Sequence, residues 1–254
     1  MEKRYCVIIA LFIIFYSFTI FKSKNYIMKL GENIASEFNE FAKDYTNDMI
    51  RCVPYYEKLI LSFTQYLPEG FSPHSILELG SGNGNVTATL LQHFPNANYT
   101  LVDASKEMID LCKLRFKGFS MIYSNSYFNE FHFNENHYDL IVAGFSLHHC
   151  NEEEKQVIFE NIYSSLKPNG IFSCSDLMIN KKCPEHSDLL KNWEAFVLSN
   201  YPTREKWEWL MEHYNTFDNP TNYNTQMEWL KKIGFSKVHT PFREEYWTYL
   251  QAIK

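Results

Sequence analysis

The feature that most constrains this chain is a cluster of three glycines between an apolar run and a helical pattern. The cluster reads Gly80-Ser81-Gly82-Asn83-Gly84 and follows the run Ile-Leu-Glu-Leu at residues 76–79. It holds three of the nine glycines in the whole chain. Glycine lets the backbone turn tightly and approach a ligand closely, and the first N–H groups of a helix lack intrahelical partners. The pattern therefore predicts a strand, a ligand-binding turn and a helix.

Short apolar runs alternate with helical patterns between residues 75 and 176. The runs predict strands at residues 75–79, 98–102, 121–123, 138–143 and 170–175. Helical patterns precede and separate them at residues 34–45, 55–66, 86–93, 106–116 and 152–166. Strands that alternate with helices at this spacing predict a parallel sheet with helices on both faces.

The alternation of strand and helix patterns ends after Asp176. Residues 177–221 form an aromatic stretch of helical character, which we interpret as an insert. A helix at 224–233 then stops at Gly234, because glycine favours helix C-termini. Two runs at 235–239 and 246–253 predict a closing antiparallel hairpin at the sheet edge.

The glycine cluster excludes two common nucleotide-binding patterns. The dinucleotide pattern G-x-G-x-x-G fails because Asn85 occupies its last position, and no G-K-[ST] sequence indicates a phosphate-binding loop. Glu78 stands two residues before the first glycine and would offset a cationic amine near the loop. Asp103 ends the second predicted strand, where a carboxylate either accepts bonds from ribose hydroxyls or caps the next helix.

Four segments in order resemble the motifs of class I S-adenosylmethionine-dependent methyltransferases of the small-molecule type. The segments are 78–84, 101–108, 138–149 and 166–176, and the resemblance covers roughly residues 35–254. It implies an α/β, Rossmann-like, seven-stranded and mostly parallel sheet of order 3-2-1-4-5-7-6, with strand 7 antiparallel and helices on its flanks. It also implies S-adenosylmethionine as cofactor and a small-molecule acceptor of its methyl group.

The resemblance carries over to individual cofactor-binding residues. It implies that the cofactor is bound by Tyr45, Glu78, Gly80, Ser81, Gly82, Gly84, Asp103, Ala104, Met108, Asn125, Ser126 and Gly144. Glu78 and Gly80 would lie against the methionine moiety, and Asp103 would hold the ribose. Ala104 and Met108 would flank the adenine. Tyr45 would close over the cofactor, although a plain core aromatic explains it equally well.

The sequence departs from the family in one place. The family usually carries a carboxylate after the third strand, near the adenine amino group, whereas this chain has only Asn125 or Ser126 to accept that hydrogen bond. The departure keeps a second interpretation open, a non-catalytic module that binds S-adenosylmethionine or serves only in interactions.

Three residues at strand ends are candidates for catalysis. His148 and His149 follow the fourth predicted strand and Asp176 ends the fifth, at the edge where α/β proteins bind ligands. A general base is needed only if the acceptor must lose a proton, so a structural histidine pair is the alternative. The insert at 177–221 is the expected acceptor lid. Its candidate wall residues, which also suit a core, are Trp193, Trp207, Trp209, His213 and Tyr214.

Net charge and cysteine spacing argue against nucleic-acid-binding, disulfide-rich and zinc-knuckle proteins. The chain has a net charge of −6; residues 1–30 carry five Lys or Arg against Glu2, so the remainder carries −10. An acidic globule of this kind does not favour nucleic acid as a partner. The six cysteines show no C-x-x-C spacing, which argues against a disulfide framework or a zinc knuckle, and we predict no metal. No pattern indicates an oligomeric state.

The first 30 residues predict a hydrophobic anchor with a basic flank, ahead of a methyltransferase domain at 31–254. Residues 5–21 are 17 largely apolar residues between basic residues, and a helix of that length spans roughly 25 Å against a hydrocarbon layer of ~30 Å. We expect an N-terminal hydrophobic helix that anchors a cytoplasmic catalytic domain to a membrane, although basic residues on both sides decide its orientation weakly. A cleaved signal peptide is one alternative. A start at Met28, giving a soluble cytoplasmic protein, is the other.

Overall fold

The computed structural model of this chain describes residues 45–254. The predicted anchor at residues 5–21 and the alternative start at Met28 lie outside this range, as does most of the helix predicted at 34–45. Within the described range, no helix has both the length and the apolar character that a membrane crossing requires.

A seven-stranded sheet forms the centre of the fold. Its strands are β1 (Ser75–Leu79), β2 (Asn98–Asp103), β3 (Met121–Asn125), β4 (Tyr138–Gly144), β5 (Leu166–Leu177), β6 (Lys237–Glu244) and β7 (Trp247–Ile253). Their spatial order is β3-β2-β1-β4-β5-β7-β6. The first five strands pair in parallel, and β7 runs antiparallel to both of its neighbours. The predicted strand order and the antiparallel seventh strand are confirmed.

Helices cover both faces of this sheet. They are α1 (Tyr45–Cys52), α2 (Tyr56–Gln65), α3 (Asn85–His93), α4 (Lys106–Arg115), α5 (Glu152–Ser165), α6 (His186–Asn200), α7 (Glu205–Phe217) and α8 (Tyr223–Ile233). Neighbouring strand residues face opposite sides, so Ile76 packs into the core beneath α2 and α3, whereas Leu77 packs beneath α5 and α8. Because both faces are buried, the central strands are apolar at nearly every position.

The largest differences from the predicted boundaries are in strands β5 and β6. Strand β5 begins at Leu166 rather than at residue 170, directly after α5. Strand β6 extends to Glu244, past the predicted end at residue 239, although Pro241 interrupts its hydrogen-bonding pattern. The register shifts between His239 and Phe242, and β6 is an edge strand, where a proline without an N–H group is tolerated.

Candidate functional site

The residues of interest meet at the carboxyl edge of the sheet. The glycine loop follows β1, Asp103 ends β2, the two histidines follow β4, and Asp176 lies near the end of β5. In a parallel sheet these ends lie side by side, in the position where open α/β folds bind ligands. The sheet order therefore brings together residues as distant in the sequence as Gly80 and Asp176.

Asp103 is fixed by two backbone donors. Its Oδ2 accepts a hydrogen bond from the Gly82 N–H at 2.8 Å, and its Oδ1 accepts one from the Ser105 N–H at 2.8 Å. Helix α4 is capped instead by the Ser105 side chain, which accepts from the Met108 N–H. Burial raises the pKa of Asp103 to about 6, although both N–H bonds oppose the shift. The alternative interpretation of Asp103 as the helix cap is wrong, because Ser105 has that role.

The three glycines of the loop serve different purposes. All three have a positive φ, a backbone conformation that residues with a side chain rarely adopt. A Cβ on Gly80 would come within 2.2 Å of the Ser146 Cβ, and one on Gly84 within 2.4 Å of the Phe116 ring. A Cβ on Gly82 would lie 3.6 Å from the Tyr45 ring. The loop thus packs against two neighbouring segments and leaves Gly82 facing Tyr45.

Glu78 lies inside the protein rather than on the surface of the loop. Its side chain is 1% exposed, and its carboxylate accepts a hydrogen bond from the Thr87 hydroxyl of α3. Burial raises the pKa of Glu78 to about 8, and the nearby Asp103 carboxylate adds to the shift. The structure therefore brings Glu78 beneath the loop, where it links β1 to α3.

The residues predicted for the adenine end are only partly gathered together. Asn125 donates from its amide to the carbonyl oxygens of Asp103 and Ala104 at 3.0 and 2.8 Å, and the Ser126 N–H donates to the Asp103 carbonyl. The Met108 side chain, in contrast, is 1% exposed and belongs to the interior. Ala104, Asn125 and Ser126 therefore form one rim of the site.

Two more predicted cofactor residues have a packing or backbone role in this structure. The Ser81 N–H donates to the Val102 carbonyl at 3.0 Å, which holds the loop against β2. Gly144 ends β4, and a Cβ there would meet the Val86 side chain at 2.7 Å. Its lack of a side chain lets α3 approach the strand.

A hollow opens beside the glycine loop, beneath the insert. Its cavity volume is about 90 Å³. The described residues that line it include both histidines after β4 and several aromatic rings; they are Tyr45, Asp48, Met49, Cys52, Val53, Phe145, His148, His149, Asp176, Leu177, Trp193, Trp209, Leu210, His213, Tyr214, Asp218, Pro220 and Trp247. Tyr45 lines the hollow and also faces Gly82. The hollow and the glycine loop therefore adjoin at Tyr45.

The aromatic insert forms the wall of this hollow around Trp193. The Trp193 indole N–H donates to the Cys52 carbonyl at 2.6 Å, which ties α6 to α1. Its ring meets the edges of Tyr214 and Trp247 at centroid distances of 5.5 and 5.2 Å. Trp207 also packs edge-on against Trp193 but is not among the lining residues. Four of the five predicted wall residues thus reach the hollow.

The polar end of the hollow is a cluster of histidines and aspartates. The ring nitrogen Nδ1 of His148 lies 2.6 Å from Asp176 Oδ1, and the backbone N–H of His148 donates to Asp176 Oδ2 at 3.1 Å. Three histidine nitrogens surround one oxygen, Asp218 Oδ1: His148 Nε2 at 3.7 Å, His149 Nδ1 at 3.2 Å and His213 Nε2 at 3.5 Å. The structure thereby unites all three predicted catalytic residues.

The charges of the cluster depend on one another. Burial lowers the pKa of His148, but the carboxylates of Asp176 and Asp218 outweigh it and raise the pKa to about 9. Burial and the neighbouring His148 charge lower the pKa of His149 to about 4. Burial alone would raise the pKa of Asp218, whereas the histidines around it lower it. The Asp218 carboxylate therefore lies beside the charged imidazole of His148 and the neutral imidazole of His149.

Sequence reasoning missed two members of this region, Asp218 and Lys155. The buried Lys155 ammonium donates to the Asn219 carbonyl and to the Thr221 hydroxyl. The Asn219 N–H donates to the His148 carbonyl at 2.6 Å. These bonds hold the segment after α7 against the loop after β4, so Asp218 reaches the histidines. No local motif marks either residue.

Comparisons with known proteins show what this chain is similar to. A family profile described as "Methyltransferase domain" matches residues 76–170. A carboxy-S-adenosyl-L-methionine synthase from Vibrio vulnificus is 29% identical over 238 residues, which cover 89% of this chain and 92% of that protein. A protein of the same name from Desulfotalea psychrophila is 24% identical over 224 residues, covering 86% of this chain and 91% of that protein.

Solved structures share the fold at lower identity. Human N-acetylserotonin methyltransferase in complex with SAM matches with a TM-score of 0.57 at 16% identity. The match covers 87% of this chain but only 56% of that one, so this chain spans little more than half the length of the human protein. At such identity the likeness concerns the fold.

Proposed function

The chain belongs to the class I S-adenosylmethionine-dependent methyltransferase family, and from that membership we propose that it transfers a methyl group from S-adenosylmethionine to a small-molecule acceptor. The observation that carries the proposal is the arrangement at the carboxyl edge of the sheet. A glycine loop held by Asp103 adjoins a hollow that is walled by aromatic rings, and Tyr45 contributes to both.

The cofactor fits the loop side of this arrangement. Asp103 has two carboxylate oxygens, each with further acceptor capacity beyond its one backbone bond, and it would accept from the ribose hydroxyls. The rim of Ala104, Asn125 and Ser126 would border the adenine, and Tyr45 would cover the methionine end. Glu78 lies buried beneath the loop and links β1 to α3 through its bond with Thr87.

The acceptor would occupy the hollow. A sulfonium methyl is already electrophilic, so holding a nucleophile in line with it supplies much of the acceleration. His148, His149 and Asp176 line the hollow, and we propose that this polar end orients the acceptor.

The charge of the hollow favours methyl transfer over synthesis of a carboxylated cofactor, the activity for which the two bacterial relatives are named. Three carboxylates, those of Asp48, Asp176 and Asp218, line the hollow, and none of its described lining residues is Lys or Arg. A carboxylate-bearing reactant would find only histidines to pair with. A neutral or cationic acceptor suits these walls better, because aromatic faces attract cations.

A labelled-cofactor screen tests the proposal. The full chain is incubated with S-adenosylmethionine labelled in its methyl group and a panel of neutral, cationic and anionic small molecules, and products are separated by mass. We expect label on a neutral or cationic acceptor, together with S-adenosylhomocysteine. Cofactor binding without turnover across the panel would support the non-catalytic module, and a carboxylated cofactor would support the synthase activity; either result would contradict methyl transfer.

We further propose that residues 5–21 anchor the chain to a membrane, with the catalytic domain on the cytoplasmic side. The support is the length of the apolar run and its basic flanks. Membranes from cells expressing the full chain are washed with alkaline carbonate and compared with those from cells expressing a variant that begins at Met28. Retention of the full chain alone is expected, and release of both would contradict the anchor.

A further inference from the structure

The geometry points to a divalent transition-metal site, with zinc as the preferred ion, formed by His148 Nε2, His149 Nδ1 and the Asp218 carboxylate at the polar end of the hollow. The donor atoms of these three residues lie within 4.8 Å of one another. Two imidazole nitrogens and a carboxylate oxygen are a common catalytic ligand set for zinc. The metal site rests on this geometry alone, whereas its role in catalysis rests on the function proposed above.

The donor spacing matches a tetrahedral ion. Zinc lies ~2.0–2.1 Å from nitrogen and oxygen ligands, and two tetrahedral ligands at that radius are roughly 3.3–3.4 Å apart. The observed distances from Asp218 Oδ1 are 3.2 Å to His149 Nδ1 and 3.7 Å to His148 Nε2. Both distances from Asp218 Oδ1 therefore lie close to the tetrahedral spacing, and all three donors lie within 4.8 Å of one another.

The chain itself explains how adjacent residues can bind one ion. A single turn of 3₁₀ helix at Leu147–His149 follows β4, and it brings the two imidazole rings to a centroid distance of 4.0 Å. Phe145 precedes it in a left-handed conformation with φ of 53°, which non-glycine residues seldom adopt without a structural reason. The strained turn aims both imidazoles toward Asp218.

The Asp176 carboxylate orients His148, one of the proposed ligands, through the ring nitrogen that does not face the ion. The nitrogen of His148 that faces away from the site, Nδ1, lies 2.6 Å from Asp176 Oδ1. Metal-binding histidines almost always donate their other ring N–H to such a partner, which fixes the tautomer and strengthens the ligand. Asp176 is therefore a positioning residue in this proposal.

The site faces the place where an acceptor would lie. All three ligands line the hollow, so an ion held by them would have a fourth position open to a small molecule. His213 Nε2 lies 3.5 Å from Asp218 Oδ1 and would help to hold that carboxylate. An acceptor bound through its hydroxyl or thiol would lose its proton to solvent more readily. A lone pair on the acceptor's oxygen or sulfur would then form a bond to the methyl carbon of S-adenosylmethionine. The bond between that carbon and the cofactor's sulfur breaks at the same time, and its electron pair remains on the cofactor's sulfur.

Zinc titration of the intact chain tests the site. The full chain, purified without a histidine tag and freed of metal by a chelator, is titrated with Zn²⁺ in competition with a chelating dye. We expect one tight site per chain, with affinity lowered at least about tenfold in His149→Ala and Asp218→Asn. His239→Ala, which removes a histidine on β6 outside the cluster, is the matched control and should bind zinc as the unaltered chain does.

Cobalt(II) provides an independent reading of the ligands. We expect visible absorption bands of a four-coordinate nitrogen and oxygen site in the unaltered chain and their loss in Asp218→Asn. A thiolate charge-transfer band would assign the ion to cysteines and overturn the proposal. Equal zinc affinity in Asp218→Asn, or no zinc above background in the unaltered chain, would also overturn it and leave the cluster as a proton-sharing network.

The binding of S-adenosylhomocysteine separates this inference from the proposed function. We expect metal-free protein and His149→Ala to bind S-adenosylhomocysteine as the unaltered holoprotein does, because the ligands line the acceptor side. An unaltered chain that binds the nucleoside but no zinc defeats only the metal site. Zinc binding by a chain that fails to bind the nucleoside defeats only the proposed function.

Discussion

The Asp103 carboxylate accepts a hydrogen bond from the backbone N–H of Gly82 at 2.8 Å. This bond joins the end of β2 to the glycine loop after β1, so the two parts of the predicted nucleoside site hold each other in place before any ligand arrives. A preformed site of this kind loses less ordering entropy when it binds. The relationship makes Asp103 the residue whose removal tells most about the site.

Replacing Asp103 by Ala should weaken binding of S-adenosylhomocysteine by about 10- to 100-fold, equivalent to about 1.5–3 kcal/mol, the scale of hydrogen bonds to a charged group. Titration calorimetry measures the change. Glu107→Ala, an exposed position in the first turn of α4, is the control and should bind normally. Unchanged affinity in Asp103→Ala would remove this residue from the ribose site.

Binding of S-adenosylhomocysteine should strengthen as the pH rises through about 6. Burial raises the pKa of Asp103 to about 6, and only the ionised carboxylate accepts bonds from both ribose hydroxyls. Below that pKa the affinity should fall by up to about tenfold per pH unit, and above it the Asp103 contribution should level off. Calorimetry across pH 5 to 8 checks this, with Glu78→Gln as a second chain in which the step near 6 should persist. A flat profile in both chains would contradict the assignment.

Gly80→Ala should destabilise the fold by at least about 2 kcal/mol, because the residue has a φ of 72° and its new Cβ would overlap Ser146. Urea unfolding measures the loss. Gly118→Ala is the matched control, since a Cβ there meets nothing within 4 Å. Equal stability of the two variants would show that the loop adapts more freely than its geometry indicates.

Lys155→Met should lower the free energy of unfolding by about 1.5–3 kcal/mol, because it leaves the Asn219 carbonyl and the Thr221 hydroxyl without their buried donor. It should also raise the KM for the acceptor more than the Kd for the cofactor, since Lys155 holds the segment that carries Asp218. Urea unfolding and steady-state kinetics measure the two effects. The exposed Lys232→Met serves as control, and a parallel loss of cofactor affinity would contradict the assigned role.

Motif order was enough to predict the sheet. The glycine cluster, Asp103 and the strand spacing indicated a resemblance to a known family, and the strand order and the antiparallel β7 followed from that resemblance. Motif order could not predict which residues pack against the glycine loop. The ring that occupies the space beside Gly84 belongs to Phe116, some thirty residues later, and nothing near the glycine indicates it.

The acceptor side shows a similar limit. Asp218 joins His148 and His149 only because α5, α7 and the segment between α7 and α8 converge on the loop after β4. The prediction of no metal relied on cysteine spacing along the chain, whereas the ligand set proposed here combines residues 148, 149 and 218. Long-range contacts of this kind depend on tertiary packing and leave no periodic trace in the sequence.

Titration of the full chain with S-adenosylhomocysteine is the sharpest test of the nucleoside site assigned to the glycine loop and Asp103. We expect saturable binding of one molecule per chain, with heat that diminishes in Asp103→Ala and persists in Glu107→Ala. A folded chain that takes up no S-adenosylhomocysteine and no S-adenosylmethionine at millimolar concentration would contradict it.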